Sequence, residues 1–367
     1  MSLKHAFYLS AQTQRIHKLA KKHQTENCSS FYDLKKPVLR TNSYIQKLAI
    51  DFIGDLVQLG IIGLGKMGGN IALQCIEKGI DVVGKTKEAK PELIEKGVKI
   101  VSTYQEFGDS LKTPRVIFLS LPAGHTIDRV IRDLLPFINK GDIIVDGGNS
   151  YYKDSIEREA QLAKNGLYFV DCGTSGGLYG ARYGACFMVG GKPEAVKLCE
   201  PILKTLAVDG GFLHCGEPGS GHFVKVIHNG IEFGMLQAIG EGVEFLQHSN
   251  FSLDLQAVFH VWSHGSVIRS WLVELMEEGV GEIGDIKKVS DYVEDTGEVN
   301  WLVEEAIEKE IPAPIITQSL IELFRSRRQD SDAARAVAIM RHGFGGHPYG
   351  KDESIAEERK SNKVHSM

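Results

Sequence analysis

A glycine-rich turn between an apolar run and a helical segment limits this chain to a small set of folds. The run Val57–Ile62 is apolar, and the turn after it leads into helical spacing and consists of Gly63, Leu64, Gly65, Lys66, Met67 and Gly68. Glycines in such a turn let the backbone approach a pyrophosphate, and the start of the next helix offers unpaired N–H groups and a positive dipole end. The turn therefore predicts a dinucleotide-binding site at the head of a strand–helix–strand unit.

Apolar runs and helical segments alternate through residues 57–218, which predicts an α/β domain built on a Rossmann-type parallel sheet. After about Gly219 only helical spacing continues, so residues 219–350 are predicted to form an all-α domain for substrate binding and oligomerisation. The predicted strands are Val57–Ile62, Ile80–Gly84, Val116–Leu121, Asp142–Asp146, Tyr168–Asp171 and Phe187–Gly190. The predicted helices of the second domain are His222–His248, Leu253–Ser263, Ile268–Glu278, Val299–Glu308 and one or two within Ile315–Met340.

The two ends of the chain do not share this pattern. Residues 1–56 contain nine lysines and arginines against four acidic residues, and we expect an N-terminal extension that is disordered, processed or upstream of the true start. An organelle transit peptide is an alternative, although such peptides favour arginine and this segment contains only Arg15 and Arg40. Residues 351–367 are predicted to be a polar tail that frays.

Composition argues against several classes of protein. Beyond residue 56 the chain has 33 basic and 43 acidic residues, and an acidic body argues against nucleic acid as the main partner. No run of about 18 apolar residues occurs, so no membrane-spanning helix is predicted. The six cysteines show neither C-x-x-C pairs nor matched histidine spacing, so neither a zinc site nor a disulfide framework is predicted, and we expect a cytoplasmic protein.

The end of the second predicted strand bears on the choice of dinucleotide. The acidic residue that would hold the ribose 2′-hydroxyl of NAD is missing there, and Lys85, Thr86 and Lys87 follow instead. Two cations and a hydroxyl suit a 2′-phosphate, which a carboxylate would repel. The sequence therefore favours NADP, while NAD stays possible because ordinary lysines in a solvated turn would look the same.

One face of the helical segment after Gly219 carries four polar side chains: Lys225, His228, Asn229 and Glu232. Their spacing of i, i+3, i+4 and i+7 places them on the same side of a helix. Such groups are costly to bury on a largely apolar segment unless each has a partner or a task, so a helix that lines a cleft is favoured. A solvated face with a Lys–Glu pair is the alternative.

Further polar groups are predicted at the ends of strands and near the C-terminus. Asn149 and Ser175 lie in glycine-rich turns that follow two predicted strands, where open parallel sheets bind ligands. Their side chains suit a substrate with many hydroxyl groups. Three cationic residues, Arg269, Arg341 and His347, suit a phosphate or carboxylate.

These motifs, taken in order, resemble the 6-phosphogluconate dehydrogenase family in its short bacterial-type form, from Val57 to about Gly350. The motifs that carry the resemblance are GLGKMGGN at 63–70, LPAG at 121–124, DGGNS at 146–150, TSGGLYGARYG at 174–184, GSGHFVKVIHNGIE at 219–232, IRS at 268–270 and RHGFGGH at 341–347. The resemblance implies oxidative decarboxylation of 6-phospho-D-gluconate to ribulose 5-phosphate and CO2, with reduction of NADP or NAD, in the pentose phosphate pathway. It implies no metal and a homo-oligomer.

The resemblance also implies roles for individual residues. Lys225 would be the general base that takes the C3 hydroxyl proton, and Glu232 the acid that protonates C1 of the enediol. The implied substrate-binding residues are Asn149, Ser175, Gly176, Gly177, His228, Asn229, Arg269, Arg341 and His347, the last two coming from a partner subunit. The implied cofactor-binding residues are Gly63, Leu64, Gly65, Lys66, Met67, Gly68, Lys85, Thr86, Lys87, Pro122, Ala123 and Asn149.

Three positions depart from the long form of the family. Phe233 stands where the long form has a phosphate-binding tyrosine, and Thr296 and Glu298 stand before Trp301 where it has a lysine and a threonine. The phosphate site is therefore expected to be thinner and partly acidic, with Arg269 and Arg341 as its main cations.

Two other functions stay open at this point. A 3-hydroxyisobutyrate-type dehydrogenase of the same superfamily would share the fold and the lysine, but it would need neither Glu232 nor the RHGFGGH motif. A non-catalytic NADP-binding sensor would tolerate loss of Lys225 or Glu232, and both are present.

Overall fold

An eight-stranded sheet forms the first part of the chain. The computed structural model describes residues 58–352 except Lys87 and Ala89, so the predicted extension 1–56 and most of the predicted tail lie outside the described residues. The strands are β1 Gln58–Ile62, β2 Asp81–Lys85, β3 Lys99–Val101, β4 Val116–Leu119, β5 Ile143–Asp146, β6 Tyr168–Ser175, β7 Ala185–Gly191 and β8 Ala207–Gly216. Their order in the sheet is β3-β2-β1-β4-β5-β6-β7-β8, which is the order of a doubly wound Rossmann-like fold with two added strands.

Helices cover both faces of this sheet. They are α1 Lys66–Glu77, α2 Pro91–Glu95, α3 Tyr104–Asp109, α4 His125–Leu134, α5 Tyr152–Ala163, α6 Gly177–Tyr183 and α7 Pro193–Leu206. Successive residues of β5 enter different apolar clusters, with Ile143 and Val145 in one and Ile144 in the other. Because side chains alternate along a strand, the two clusters lie on opposite faces, and this explains why the central strands read as continuous apolar runs.

Six α-helices form the second part of the chain as far as residue 352, where the described residues end. They are α8 Ser220–Gln247, α9 Leu255–Ser263, α10 Trp271–Ile283, α11 Glu298–Glu308, α12 Pro314–Arg325 and α13 Asp332–Gly345. Their apolar core joins Val243 of α8, Met276 of α10 and Met340 of α13. The sheet and these helices belong to one compact unit. In the part of the chain that the structure describes, no helix is long and apolar enough to cross a membrane.

The predicted fold class, a Rossmann-type α/β part followed by an all-α part, is confirmed. Several details differ: β7 pairs antiparallel with β6, and the short elements β3, α2 and α3 and the edge strand β8 were not predicted. Helix α10 begins at Trp271 instead of Ile268, because the Ser270 hydroxyl caps it by accepting from the Val273 N–H. The segment Ile315–Met340 contains two helices, and the division into domains at residues 218 and 219 stays a prediction.

A buried carboxylate joins the start of α8 to the sheet. Asp171 on β6 is fully buried, and its two oxygens accept from the N–H groups of Gly219 at 2.7 Å and His222 at 2.8 Å. Gly221 allows the close approach, because a Cβ there would lie 2.4 Å from the carbonyl oxygen of Met188 on β7. The first turns of α8 are therefore held against the backbone of two strands.

Candidate active site

A cavity of about 1300 Å³ opens at the carboxyl ends of β1, β4, β5 and β6. The sheet order reverses between β1 and β4, and ligands of open α/β sheets bind at such a point. Pockets for one drug-sized ligand measure about 300–1000 Å³, so this cavity has room for two ligands. The sequence-predicted residues that line it are Gly65, Lys66, Met67, Pro122, Asn149, Ser175, Gly176, Gly177, Lys225, His228, Asn229, Glu232, Arg341 and His347.

The glycine-rich turn has the geometry that a pyrophosphate requires. Gly63 has a φ of +94°, and a Cβ on Gly68 would lie 2.0 Å from the Gly63 carbonyl oxygen. A Cβ on Gly65 would meet no described atom within 4 Å, and no side chain caps the start of α1 there. The first N–H groups of α1 therefore face open space in the cavity, which suits a dinucleotide. Gly63, Leu64 and Gly68 support the turn from behind and do not line the cavity.

The residues predicted to select the dinucleotide lie outside the cavity lining. The Lys85 Nζ lies 4.2 Å from the centre of the Tyr104 ring, and the Thr86 hydroxyl accepts from the Glu88 N–H at 3.3 Å. Lys87 lies outside the described residues. Ala123 lies next to the lining residue Pro122 but does not itself line the cavity. The preference for NADP over NAD accordingly stays a prediction.

The predicted catalytic pair lies on the cavity face of α8. Lys225 is only 8% exposed, and burial lowers the pKa of its ammonium, while the charges of Glu232 and Glu298 oppose this shift. Burial raises the pKa of Glu232, which the charges of Lys225 and Arg341 oppose. The site therefore holds a lysine that can lose its proton and a carboxyl group that can keep one.

His228 connects this pair to the strand ends. Its Nε2 lies 3.0 Å from the Ser175 hydroxyl, and its Nδ1 lies 3.4 Å from the Lys225 Nζ and 3.6 Å from a Glu232 oxygen. Burial and the charge of Lys225 lower the pKa of His228 to about 4. The imidazole is therefore neutral near pH 7 and has one ring nitrogen that donates and one that accepts.

Two asparagines and a glutamate continue the polar lining. The Asn229 side-chain N–H donates to the Asn149 side-chain oxygen at 3.2 Å, and the Asn149 side-chain N–H donates to Glu298 at 2.6 Å. Glu298 is the first residue of α11 and is 7% exposed. The line of contacts therefore runs from α11 across the end of β5 to α8.

The C-terminal cations Arg341 and His347 also line the cavity. Arg341 is buried on α13, with its guanidinium 5.4 Å from the centre of the Phe233 ring and a hydrogen bond to the Glu294 carbonyl oxygen. Burial lowers the pKa of Arg341, and burial together with the Arg341 charge lowers the pKa of His347 to about 4. Lys66 of the glycine-rich turn donates to the Gly346 carbonyl oxygen at 3.1 Å.

The structure bears on two expectations about these cations. The chain's own Arg341 and His347 line its cavity, because α13 packs against α8 and α10 of the same chain, and a contribution of these residues from a partner subunit stays a prediction. Arg269 was expected to hold phosphate, but it is exposed and does not line the cavity, and its guanidinium contacts the Ser266 carbonyl oxygen at 3.4 Å. Its neighbours Ser270 and Trp271 line the cavity instead.

Sequence reasoning missed two residues that support the site. Asp171 was predicted only as the end of a strand, although an acidic residue at the end of an apolar strand is itself a signal of a buried acceptor. Glu298 was noted as a departure from the long form but not as part of the site. No sequence pattern links it to Asn149, because the contact joins residues that are 149 positions apart.

The chain matches two family descriptions over most of its length. Residues 58–216 match the NAD binding domain of 6-phosphogluconate dehydrogenase, and residues 221–363 match its C-terminal domain. The Bacillus subtilis protein YqeC is 44% identical over 293 residues, which cover 79% of this chain and 98% of the relative. The NAD(+)-dependent, decarboxylating 6-phosphogluconate dehydrogenase of Haloferax volcanii is 40% identical over 295 residues, which cover 79% and 98% of the two chains.

Solved structures agree with this placement. The Plasmodium falciparum 6-phosphogluconate dehydrogenase superposes with a TM-score of 0.66 at 31% identity, over 74% of this chain and 63% of the other. A Salmonella typhimurium 3-hydroxyisobutyrate dehydrogenase superposes with a TM-score of 0.64 over 78% of this chain and all of the other, but at 21% identity it shares only the fold. The chain belongs to the 6-phosphogluconate dehydrogenase family.

Proposed function

We propose that this protein catalyses the oxidative decarboxylation of 6-phosphogluconate to ribulose 5-phosphate and CO2, with a nicotinamide dinucleotide as hydride acceptor. The observation that carries the proposal is the pair Lys225 and Glu232, which line one cavity with a glycine-rich dinucleotide turn and have pKa values shifted in opposite directions. An oxidation followed by decarboxylation and protonation needs a base and an acid in one site.

Different residues of the cavity are proposed to bind the cofactor and the substrate. The N–H groups at the start of α1 are proposed to hold the pyrophosphate, and Pro122 and Asn149 to contact the cofactor beside it. When bound, the nicotinamide accepts a hydride. Ser175, His228 and Asn229 are proposed to hold the hydroxyls and carboxylate of the substrate, while Arg341 and His347 receive its phosphate. Gly176 and Gly177 complete the turn that follows β6.

Lys225 and Glu232 then move the protons. Neutral Lys225 removes the proton of the C3 hydroxyl as hydride leaves C3, which gives a 3-keto acid. The bond between C1 and C2 breaks, CO2 leaves, and Lys225 returns its proton to the C3 oxygen, which gives an enediol. Glu232 protonates the carbon that has lost CO2, which becomes C1 of ribulose 5-phosphate, while neutral Lys225 takes the proton from the C3 oxygen, which leaves the ketone of the product. Transfer of a proton from Lys225 back to Glu232 restores both residues. Each electron pair and proton is thereby accounted for by these two residues and the two ligands.

The direct test is nicotinamide reduction by the purified protein with 6-phosphogluconate, in parallel with NADP and NAD, while CO2 release is followed. Equal amounts of reduced nicotinamide and CO2 are expected. Turnover with 3-hydroxyisobutyrate but not 6-phosphogluconate would favour the alternative dehydrogenase, and cofactor binding without turnover of any sugar acid or 3-hydroxyacid would favour a sensor. The homo-oligomeric state and the cytoplasmic location stay predictions.

The residues after β2 are expected to select NADP. Replacing Lys85 and Lys87 together with alanine should raise the KM for NADP by about tenfold or more and leave the KM for NAD nearly unchanged, because only NADP carries the 2′-phosphate. The measurement is initial rate against cofactor concentration for both dinucleotides. Lys96→Ala, at an exposed position nearby, is the control. Equal increases for the two cofactors would contradict the assignment.

The proposed base and acid also predict a pH profile. At low pH kcat/KM for 6-phosphogluconate should rise as Lys225 loses its proton, and at high pH it should fall as Glu232 loses its own. Burial lowers the pKa of Lys225 and raises that of Glu232, which brings the two values together and enlarges the fraction with neutral lysine and protonated acid. Glu232→Gln should therefore keep the rise and lose the fall. The control Glu241→Gln, at an exposed position of the same helix, should keep both the rise and the fall of the pH profile. A Glu232→Gln variant that also keeps both would contradict the assignment of Glu232 as the acid.

A further inference from the structure

We propose that Glu298 is a positioning residue that fixes the side-chain amides of Asn149 and Asn229 and, through them, the ring nitrogen of His228 that carries the proton. The proposal rests on the proposed function of this site. Glu298 begins α11 and lines the cavity, and one of its oxygens accepts from the Asn149 side-chain N–H at 2.6 Å. Its other oxygen is buried and has no hydrogen-bond partner among the described residues.

The Glu298 carboxylate determines which groups donate and which accept in the series of hydrogen bonds that leads to His228. A carboxylate can only accept, so Asn149 must turn its NH2 group towards Glu298 and its oxygen towards Asn229. Asn229 must then present its NH2 group to Asn149 at 3.2 Å, which turns its own oxygen towards His228 at 3.4 Å. Without the Glu298 carboxylate as an acceptor, the side-chain amides of Asn149 and Asn229 would each be held less strongly in one of their two orientations.

These amide orientations determine which ring nitrogen of His228 carries the proton. Its Nδ1 faces three groups that can accept, namely the Asn229 oxygen, a Glu232 oxygen and the nitrogen of a neutral Lys225. The proton is therefore placed on Nδ1, and Nε2 accepts from the Ser175 hydroxyl at 3.0 Å.

This tautomer favours the catalytic form of Lys225. An N–H that points at the Lys225 nitrogen can donate to a neutral amine, whereas it opposes an ammonium group, which has only donors. The same tautomer makes the Ser175 hydroxyl a donor to His228, so its oxygen lone pairs remain available to substrate hydroxyls. Glu298 thus prepares both the base and part of the substrate site without touching the reacting carbon atoms.

Two substitutions of Glu298 distinguish the loss of its hydrogen-bond acceptor from the loss of its negative charge. Glu298→Gln keeps an oxygen that can accept from Asn149, whereas Glu298→Met has a similar length and no acceptor. The first readout is NMR of histidine labelled with ¹⁵N, which distinguishes Nδ1–H from Nε2–H, with the His228 signal assigned by its loss in His228→Asn. We expect Nδ1–H in the unaltered chain and in Glu298→Gln, and a mixture or Nε2–H in Glu298→Met.

The second readout is kinetic. Glu298→Met should lower kcat/KM for 6-phosphogluconate by about tenfold to a hundredfold, which is the usual effect of removing a residue that orients a site group, and Glu298→Gln should restore most of it. Glu304→Gln, exposed on the same helix, is the matched control for loss of a negative charge. Circular dichroism and thermal unfolding identify any variant that fails to fold. If Glu298→Met does not fold, the proposal is tested with Glu298→Gln alone, in which Nε2–H would overturn it.

The outcomes are distinct. Absence of turnover by the unaltered chain would defeat the proposed function, but the NMR comparison would still decide the positioning role. Nδ1–H in all variants, or a kcat/KM of Glu298→Met within about twofold of the unaltered chain, would overturn the proposal. An equal loss of kcat/KM in Glu298→Gln and Glu298→Met with no change of tautomer would assign the effect to charge and would also overturn it.

Discussion

Replacing Lys225 with methionine is expected to lower kcat with 6-phosphogluconate by about a hundredfold to ten-thousandfold, the range for loss of a general base. Methionine has a similar length and is apolar, so it fits the buried position, where the lysine is 8% exposed. The fold should be retained, because a buried amine is replaced by a side chain that prefers burial. Cofactor binding should persist, because the glycine-rich turn is on β1 and α1.

The measurements are single-turnover kinetics and titration of the variant with reduced dinucleotide by fluorescence. Lys164→Met, at an exposed position of the α/β part, is the matched control and should keep full activity. Turnover by Lys225→Met within about tenfold of the unaltered chain would remove Lys225 from the role of base. A loss of dinucleotide binding in the same variant would mean that the lysine supports the site in another way.

Replacing Gly221 with alanine is expected to destabilise the protein by about 3 kcal/mol, at the upper end for an overpacked site, and to lower activity with it. A Cβ at Gly221 would lie 2.4 Å from the Met188 carbonyl oxygen, 2.5 Å from the Gly190 nitrogen and 2.7 Å from the Asp171 carbonyl oxygen. All three are backbone atoms of paired strands, so none can move without disturbing the sheet. The start of α8 must shift, which weakens the two hydrogen bonds to the Asp171 carboxylate.

Thermal unfolding and urea unfolding measure this effect, and the same helix supplies the control. Gly242 also lies on α8, but a Cβ there would meet no described atom within 4 Å, so Gly242→Ala should stabilise the helix by about 0.5–1 kcal/mol. Opposite changes from the same substitution on one helix would attribute the loss to the contact with the sheet. Equal unfolding midpoints for the two variants would contradict this explanation.

The sequence predicted the elements that are buried on all sides. Every residue of β4 and of β5 is buried, and such strands read as apolar runs. Strand β8 has no buried residue, so its sequence lacks that signal and it was missed. The antiparallel pairing of β7 was also missed, because pairing depends on contacts between segments and the apolar pattern of a strand does not contain its direction.

In the candidate site, relations within one helix could be predicted from the sequence, whereas relations between packed helices could not. The spacing of Lys225 and Glu232 predicted a shared face, because the period of a helix fixes that relation locally. Glu298 and Arg341 enter the cavity from α11 and α13, and their approach depends on how those helices pack. The exposed position of Arg269 could not be predicted for the same reason, since a motif gives the residue type but not the direction of its side chain.

The junction of α8 with the sheet has a consequence for how such a protein can diversify. Its contacts at Gly221 are backbone to backbone, so we expect few substitutions to be tolerated there, and main-chain contacts hold the start of α8 against the sheet. The cavity is also lined by side chains such as Phe233 and Arg341, which single mutations can replace. We therefore expect that substitutions of such side chains can alter substrate specificity while main-chain contacts keep the position of Lys225.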